Sequence, residues 1–183
     1  RVASVLPSGK TSPVRDITFE KQTLAPALQV ANPTPGLRTK TSIGSYYQTS
    51  DLLGVMNWTE GVAKRTQDLR PDVVKNHMDE IKPKAVIGEG YVKIPTDGVY
   101  VFSTDLDQLY IDGKLLVDNS GEVAKFSRRD KIVALQAGWH KIRLIFIGAV
   151  RGGFPTYWDG AGVSFRNIKD SKFSNITEEM LAH

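Results

Sequence analysis

Val99-Tyr100-Val101-Phe102-Ser103-Thr104-Asp105-Leu106-Asp107-Gln108-Leu109-Tyr110-Ile111-Asp112-Gly113-Lys114-Leu115-Leu116-Val117-Asp118-Asn119 is the stretch on which the fold turns. It holds three β-prone runs, Val99 to Ser103, Leu109 to Ile111 and Lys114 to Val117, and only Asp112-Gly113 separates the last two. An Asp-Gly pair between two such runs is the strongest short hairpin signal, because a type I′ turn needs positive φ at both central residues. The same two-residue period extends outward on both sides. Upstream, Tyr91-Val92-Lys93-Ile94 ends at Pro95, and Thr96-Asp97-Gly98 is a turn into Val99. Downstream, Ile132 to Leu135 and His140 to Ile147 read as strands joined through Ala137-Gly138, and Val163 to Arg166 as one more. In the longest of these, Ile142, Leu144 and Phe146 share a face while Lys141 and Arg143 take the other. Ile145 and Ile147 break that alternation, so the far half of the strand is expected to be covered on both faces. Many short strands divided by Gly and Pro turns predict an all-β chain, an antiparallel barrel or sandwich.

The flanks read differently. Pro7, Pro13, Pro26, Pro33 and Pro35 punctuate the first 35 residues, which are expected to form a strand at Val14 to Phe19 and an extended linker. Pro33-Thr34-Pro35-Gly36 is a boundary signal, since proline fixes φ and glycine frees it. Pro71 to Ile81 has apolar groups at helical spacing, with Pro71 at a first helical position and Pro83 beyond the end, and predicts one short helix. The tail after Arg166 is polar, with a further helical turn expected at Thr177 to Leu181. The expected organisation is therefore a linker over residues 1–35, a β-unit over 36–168 and a tail over 169–183.

Composition narrows the function. Of 183 residues, 40% are hydrophobic and 24% charged, enough apolar material to bury a core. No apolar run approaches the ~20 residues of a membrane-spanning helix, and nothing behind Arg1 reads as a signal peptide. The chain thus reads as a soluble fragment. The net charge of +4 is spread among interspersed acids, without the basic block of a nucleic-acid binder. Cysteine is absent, which excludes disulfides, thiolate zinc sites and cysteine nucleophiles.

Catalytic chemistry finds little to work with. None of His77, His140 and His183 forms a pair with metal-ligand spacing, and His140 reads as a strand-end residue satisfied by a backbone group. Gly148-Ala149-Val150-Arg151-Gly152-Gly153 lacks the ending of a phosphate loop. Oxygen-bearing residues are more suggestive. Asp105 and Asp107 follow one strand, and Asp118-Asn119 follow the next hairpin, so four such side chains occupy two loops that can converge. Hard oxygen ligands suit calcium, although Asp and Asn also favour turns for local hydrogen bonding. Tyr157 and Trp158 lie with Phe154 and Asp159 in a Gly-rich stretch. They offer faces on which a pyranose can stack, or alternatively rings that plug the end of the barrel. Trp58 and Trp139 are expected in the core. Asn57-Trp58-Thr59 and Asn175-Ile176-Thr177 match the glycosylation sequon, a frequent chance match.

Gly90 to Asp105 and Leu109 to Asn119, continued by Leu135-Gln136-Ala137-Gly138-Trp139-His140, resemble the PA14 domain, the β-barrel module named after anthrax protective antigen. The resemblance covers roughly residues 36 to 166. It implies a module attached to bacterial glycosidases, toxins and yeast adhesins and implicated in carbohydrate recognition. More narrowly, Phe102 to Gly113 and Gly152-Gly153-Phe154-Pro155 with Trp158-Asp159 resemble the C-terminal module of bacterial β-N-acetylhexosaminidases of glycoside hydrolase family twenty. Ser8 to Phe19 resembles the final strand of the chitobiase-C-terminal-like domain that precedes it. This resemblance implies a non-catalytic piece of a secreted or periplasmic enzyme whose catalytic Asp-Glu pair lies elsewhere. Its partners would be a glycan containing N-acetylhexosamine or the catalytic domain of the same chain, with no nucleic acid and no membrane insertion. The expected carbohydrate contacts are Asp105, Asp107, Asp118, Asn119, Tyr157 and Trp158. Calcium-dependent adhesin members carry an Asp-Asp pair joined by a cis peptide where this chain reads Thr104-Asp105, and the following Gly-Ser is Leu106-Asp107. Either Asp107 replaces the lost ligand or no calcium binds, and the departure favours the latter. The alternatives are a structural interdomain module without ligand and a calcium-dependent lectin-like domain.

Overall fold

The computed structural model describes residues 1–18, 21–70, 83–121, 128–148, 150–151, 154–155 and 162–183. Two antiparallel sheets share one core. The larger is built from β1 (Leu37–Ile43), β2 (Thr59–Ala63), β3 (Lys84–Ile94), β5 (Gln108–Ile111), β6 (Lys114–Asp118) and β8 (Gly138–Gly148), in the order β2-β1-β3-β8-β5-β6, with β13 (Leu181–Ala182) also paired to β3. The smaller contains β4 (Gly98–Thr104), β7 (Arg129–Leu135), β11 (Val163–Asn167) and β12 (Ser174–Asn175), in the order β12-β11-β4-β7. A short pair, β9 (Val150–Arg151) with β10 (Phe154–Pro155), stands apart. Among the described residues the only helical pieces are 3-10 turns, at Thr49–Leu52, Thr66–Leu69 and Glu178–Met180. The expected helix at Pro71 to Ile81 lies outside the described residues.

Period-two patterning sorts the side chains. Val86, Val92, Ile142, Leu144, Phe146, Leu109 and Ile111 of the larger sheet meet Tyr100, Phe102, Val163 and Phe165 of the smaller in one cluster. This is an all-β antiparallel sandwich, as the sequence predicts. The Asp112-Gly113 turn has φ of 49° and 77°, the positive pair that a type I′ hairpin needs. Ile145 and Ile147 are buried on the opposite face of β8. There, with Ala85, they form a second cluster covered by Tyr46, Leu52 and Trp58 from the segment between β1 and β2. The double coverage expected for the end of this strand is therefore present.

Two of the three tryptophans, Trp58 and Trp139, are expected in the core and are only partly buried. Trp58 packs in the outward cluster, not the central core, and its Nε1 donates to the Val55 carbonyl at 2.8 Å. Trp139 is half-buried at the outward end of β8 beneath the Lys93 ammonium, 5.7 Å from the ring centroid. Each ring meets a polar partner, the Val55 carbonyl at Trp58 and the Lys93 ammonium at Trp139, which suits their amphipathic character.

The flanks are also built differently from their composition. Residues 1–18 form a small antiparallel hairpin through bridges Val2 to Arg15 and Val5 to Thr11, without a continuous strand at Val14. The next segment runs across the β7–β8 hairpin, where Ala25 N–H donates to the Ala134 carbonyl and Leu28 N–H to that of Trp139. At the other end, Ile176, Leu181 and Ala182 are buried. Thr34 and His183 exchange two backbone hydrogen bonds of 3.0 and 2.8 Å, so the incoming and outgoing segments lie side by side.

Candidate functional site

At Thr104 the chain leaves the smaller sheet, and at Gln108 it joins the larger. Strands that switch sheets leave backbone groups without ladder partners, and side chains must satisfy them. Asn119 does this from the end of β6. Its amide nitrogen donates to the carbonyls of Thr104 at 3.2 Å and Leu106 at 2.9 Å, and its own N–H donates to the Asp107 carbonyl at 2.7 Å. Asp107 Oδ2 accepts the N–H of Ile147 at 2.6 Å, and Thr104 Oγ1 accepts that of Leu106. The structure thus brings Asp105, Asp107 and Asn119 together at 7%, 0% and 3% exposure.

Asp105 is set between two arginines. Arg70 Nη1 lies 3.2 Å from Oδ2, and Arg128 Nη1 lies 3.9 Å from Oδ1. Arg128 also donates to the Ser103 and Gly162 carbonyls and to Ser164 Oγ, which ties β4 to β11. Its burial lowers the pKa of this guanidinium, and the Asp105 charge acts in the opposite direction. Neither arginine is singled out by the sequence pattern. Arg128-Arg129 shows only as a small basic cluster, and Arg70 precedes Pro71 without any periodic signal.

Asp118 stands apart from the buried group. It is exposed at the end of β6, with Oδ1 accepting the Ser120 N–H at 2.9 Å. Partial burial raises its pKa, but hydrogen bonds from Ser120 and Gln108 and the charge of Arg129 outweigh this and hold it below the usual carboxylate value. Tyr157 and Trp158 lie outside the described residues.

Two guanidinium groups crowd the oxygen donors that calcium would use. Asp105 Oδ1 and Asn119 Oδ1 are buried and accept no hydrogen bond among the described residues. However, the positive charge beside Asp105 comes from two guanidinium groups, and an ion placed there would be repelled by both. No group of three His, Asp or Glu with metal-holding geometry occurs among the described residues.

His140 is fully buried, with Nδ1 2.7 Å from Asp112 Oδ2 and Nε2 2.9 Å from the Gln136 carbonyl oxygen. The backbone partner matches the structural role expected of it. The carboxylate partner adds a second tie, so His140 links the β5–β6 and β7–β8 turns.

Comparison with known proteins places this geometry in context. The family model described as PA14 domain matches residues 40–172. A Beta-hexosaminidase of Porphyromonas gingivalis is 41% identical over 182 residues, which is 99% of this chain but only 23% of that protein. Among solved structures, the epithelial adhesin 9 A domain of Candida glabrata, in complex with Galb1-3GlcNAc, superposes with a TM-score of 0.57 at 12% identity, over 88% of this chain and 95% of that one. The PA14 domain of the MpAFP antifreeze protein does so with a TM-score of 0.52 at 16% identity, over 92% and 96%.

Proposed function

Because the chain belongs to the PA14 domain family, we propose that it is a non-catalytic accessory module of a β-N-acetylhexosaminidase that binds carbohydrate at the loop end of the sandwich or shapes the catalytic cleft. The observation that carries this reading is the 41% identity to a Beta-hexosaminidase along nearly the whole chain, within a protein about four times as long. The adhesin of the same fold with a bound glycan supports the sugar-binding half of it. In this reading the buried trio Asp105, Asp107 and Asn119 holds the loop frame, Asp118 offers an exposed acceptor, and Tyr157 and Trp158 supply stacking faces. The enzyme would act outside the cytoplasm, secreted or periplasmic.

Metal is not needed for this frame, since Arg70 and Arg128 already neutralise Asp105. A glycan array on the 183-residue chain, run with calcium and with chelator, tests the reading. Binding of N-acetylhexosamine-terminated chains under both conditions is expected, and Trp158→Ala should weaken it by about 1 to 3 kcal/mol. Loss of binding in chelator would restore calcium to the site.

One observation favours the interdomain half of the proposal. Val5, Leu6 and Val14 of the first hairpin are 69%, 57% and 63% exposed. Apolar side chains gathered on one projecting arm are the mark of a contact surface. If the array stays silent, packing against a neighbouring domain is the role that remains.

A further inference from the structure

The outward face of the larger sheet carries a cleft whose Tyr110 hydroxyl donates to Gln108 Oε1 at 2.8 Å, at the edge of the sheet-switching segment. Strand register builds its floor. Arg38 on β1, Glu89 on β3, Arg143 on β8 and Tyr110 on β5 stand in one cross-strand row. In the next row Tyr91 on β3 is paired with Lys141 on β8. All six point away from the core, because their strand neighbours Val92, Ile142, Leu144, Leu109 and Ile111 point into it. With Gly113 of the hairpin turn and His183, these side chains line a cleft of about 550 Å³, a size typical of small-ligand sites. At about 4.8 Å between strands, the first row spans roughly 14 Å, enough for a disaccharide.

Its charges are unbalanced in a specific way. Arg143 is held on both sides, by Glu89 Oε1 at 3.1 Å and by the Tyr110 ring, whose centroid lies 5.6 Å from the guanidinium carbon. Arg38 and Lys141 are exposed and make no ion pair among the described residues. Three cationic side chains therefore face one side-chain carboxylate, with Arg38 beside Glu89 in its row and Lys141 next to Arg143 one row on. Tyr91 in the same concave surface provides a face for the C–H side of a pyranose. A neutral sugar can use the two spare cations only as hydrogen-bond donors, whereas an anionic substituent also gains from their charge.

We propose that this cleft is a second carbohydrate site, selective for saccharides bearing a carboxylate or sulfate group, with Arg38 and Lys141 as the charge-reading residues, Tyr91 as the stacking wall and Tyr110 holding Arg143 in place. It lies on the sheet face, joined to the loop end through the Tyr110–Gln108 hydrogen bond. Calorimetric titration of the 183-residue chain with three probes tests it: a glucuronic acid–N-acetylglucosamine disaccharide, N-acetylglucosamine 6-sulfate and neutral N,N′-diacetylchitobiose. At least one anionic probe is expected to bind roughly tenfold or more tighter than the neutral one, and the two anionic arms separate carboxylate from sulfate recognition. Arg38→Ala and Lys141→Ala should each weaken that binding by roughly tenfold, Arg38→Lys by much less, and raising the salt should weaken it in all of them. Both positions are exposed, so an unchanged melting temperature shows that the variants fold. Equal affinity for neutral and anionic probes, undiminished binding in both alanine variants, or no binding of either anionic probe would overturn the proposal. Because these probes also carry N-acetylglucosamine, the titrations are repeated in Trp158→Ala: an anionic preference that persists there and is lost in Arg38→Ala and Lys141→Ala belongs to the cleft, so either site can fail without the other.

Discussion

Asn119 shows how one side chain can hold a topology. By serving the Thr104 and Leu106 carbonyls it supplies the partners that β4 loses where it turns into β5. Its residue type, and those of Asp105 and Asp107, marked this region in the sequence. What the sequence could not show was direction, because an aspartate two residues after a strand can equally face solvent, a ligand or the backbone. The arginine partners were invisible for a related reason: Arg70 reaches Asp105 across 35 residues, and no local period encodes that distance. The Arg70–Asp105 pair is almost wholly buried, so truncating Arg70 leaves a buried carboxylate with only the more distant Arg128, 3.9 Å away, to offset it. Arg70→Ala should cost about 3 to 5 kcal/mol in denaturant unfolding. At the exposed Asp118, the depressed pKa has a definite sign. Its stabilisation is present above the unfolded value and is lost as pH falls through the folded one. Unfolding followed from about pH 5 down to about pH 2 should show a shallower acid slope in Asp118→Asn than in the parent chain.

Elements with strict alternation were readable, and those interrupted by glycine or threonine were not. The Asp112-Gly113 hairpin and the long β8 are where the pattern places them. By contrast, β3 begins at Lys84, seven residues before its recognisable Tyr91-Val92-Lys93-Ile94 run. Gly88 and Gly90 break the apolar alternation because they sit on its core face, where other side chains come too close for a Cβ. A methyl at Gly88 would lie 3.0 Å from Leu69 Cδ2, and one at Gly90 would strike the Ala182 carbonyl oxygen. Strand β1 escapes notice similarly, since Arg38-Thr39-Lys40-Thr41-Ser42 reads as polar although it pairs on both edges. Gly90→Ala should therefore push β13 off the sheet and destabilise the chain by about 1 to 3 kcal/mol. Its melting temperature, and faster proteolysis near residue 181, would measure the effect.

For the whole molecule, the sandwich itself was legible from the spacing of its central strands, because a two-sheet core needs only alternating faces and turns of the right chemistry. The covering of the outward face by the segment from Tyr46 to Trp58 was foreseen only in part, from Ile145 and Ile147. Strand order across sheets and the seating of the last residues depend on long-range pairing, which a single sequence does not display. The mutual hydrogen bonds of Thr34 and His183 have a consequence for how such a unit travels between proteins. A body whose entrance and exit touch can be spliced into a surface loop of a host with little loop-closure cost and little disturbance of the host's own strands. Residues 34–183 are in this respect a cassette; moved whole into an exposed turn of an unrelated scaffold they should keep their fold, with a lower melting temperature because the β7–β8 hairpin loses its hydrogen bonds to Ala25 and Leu28.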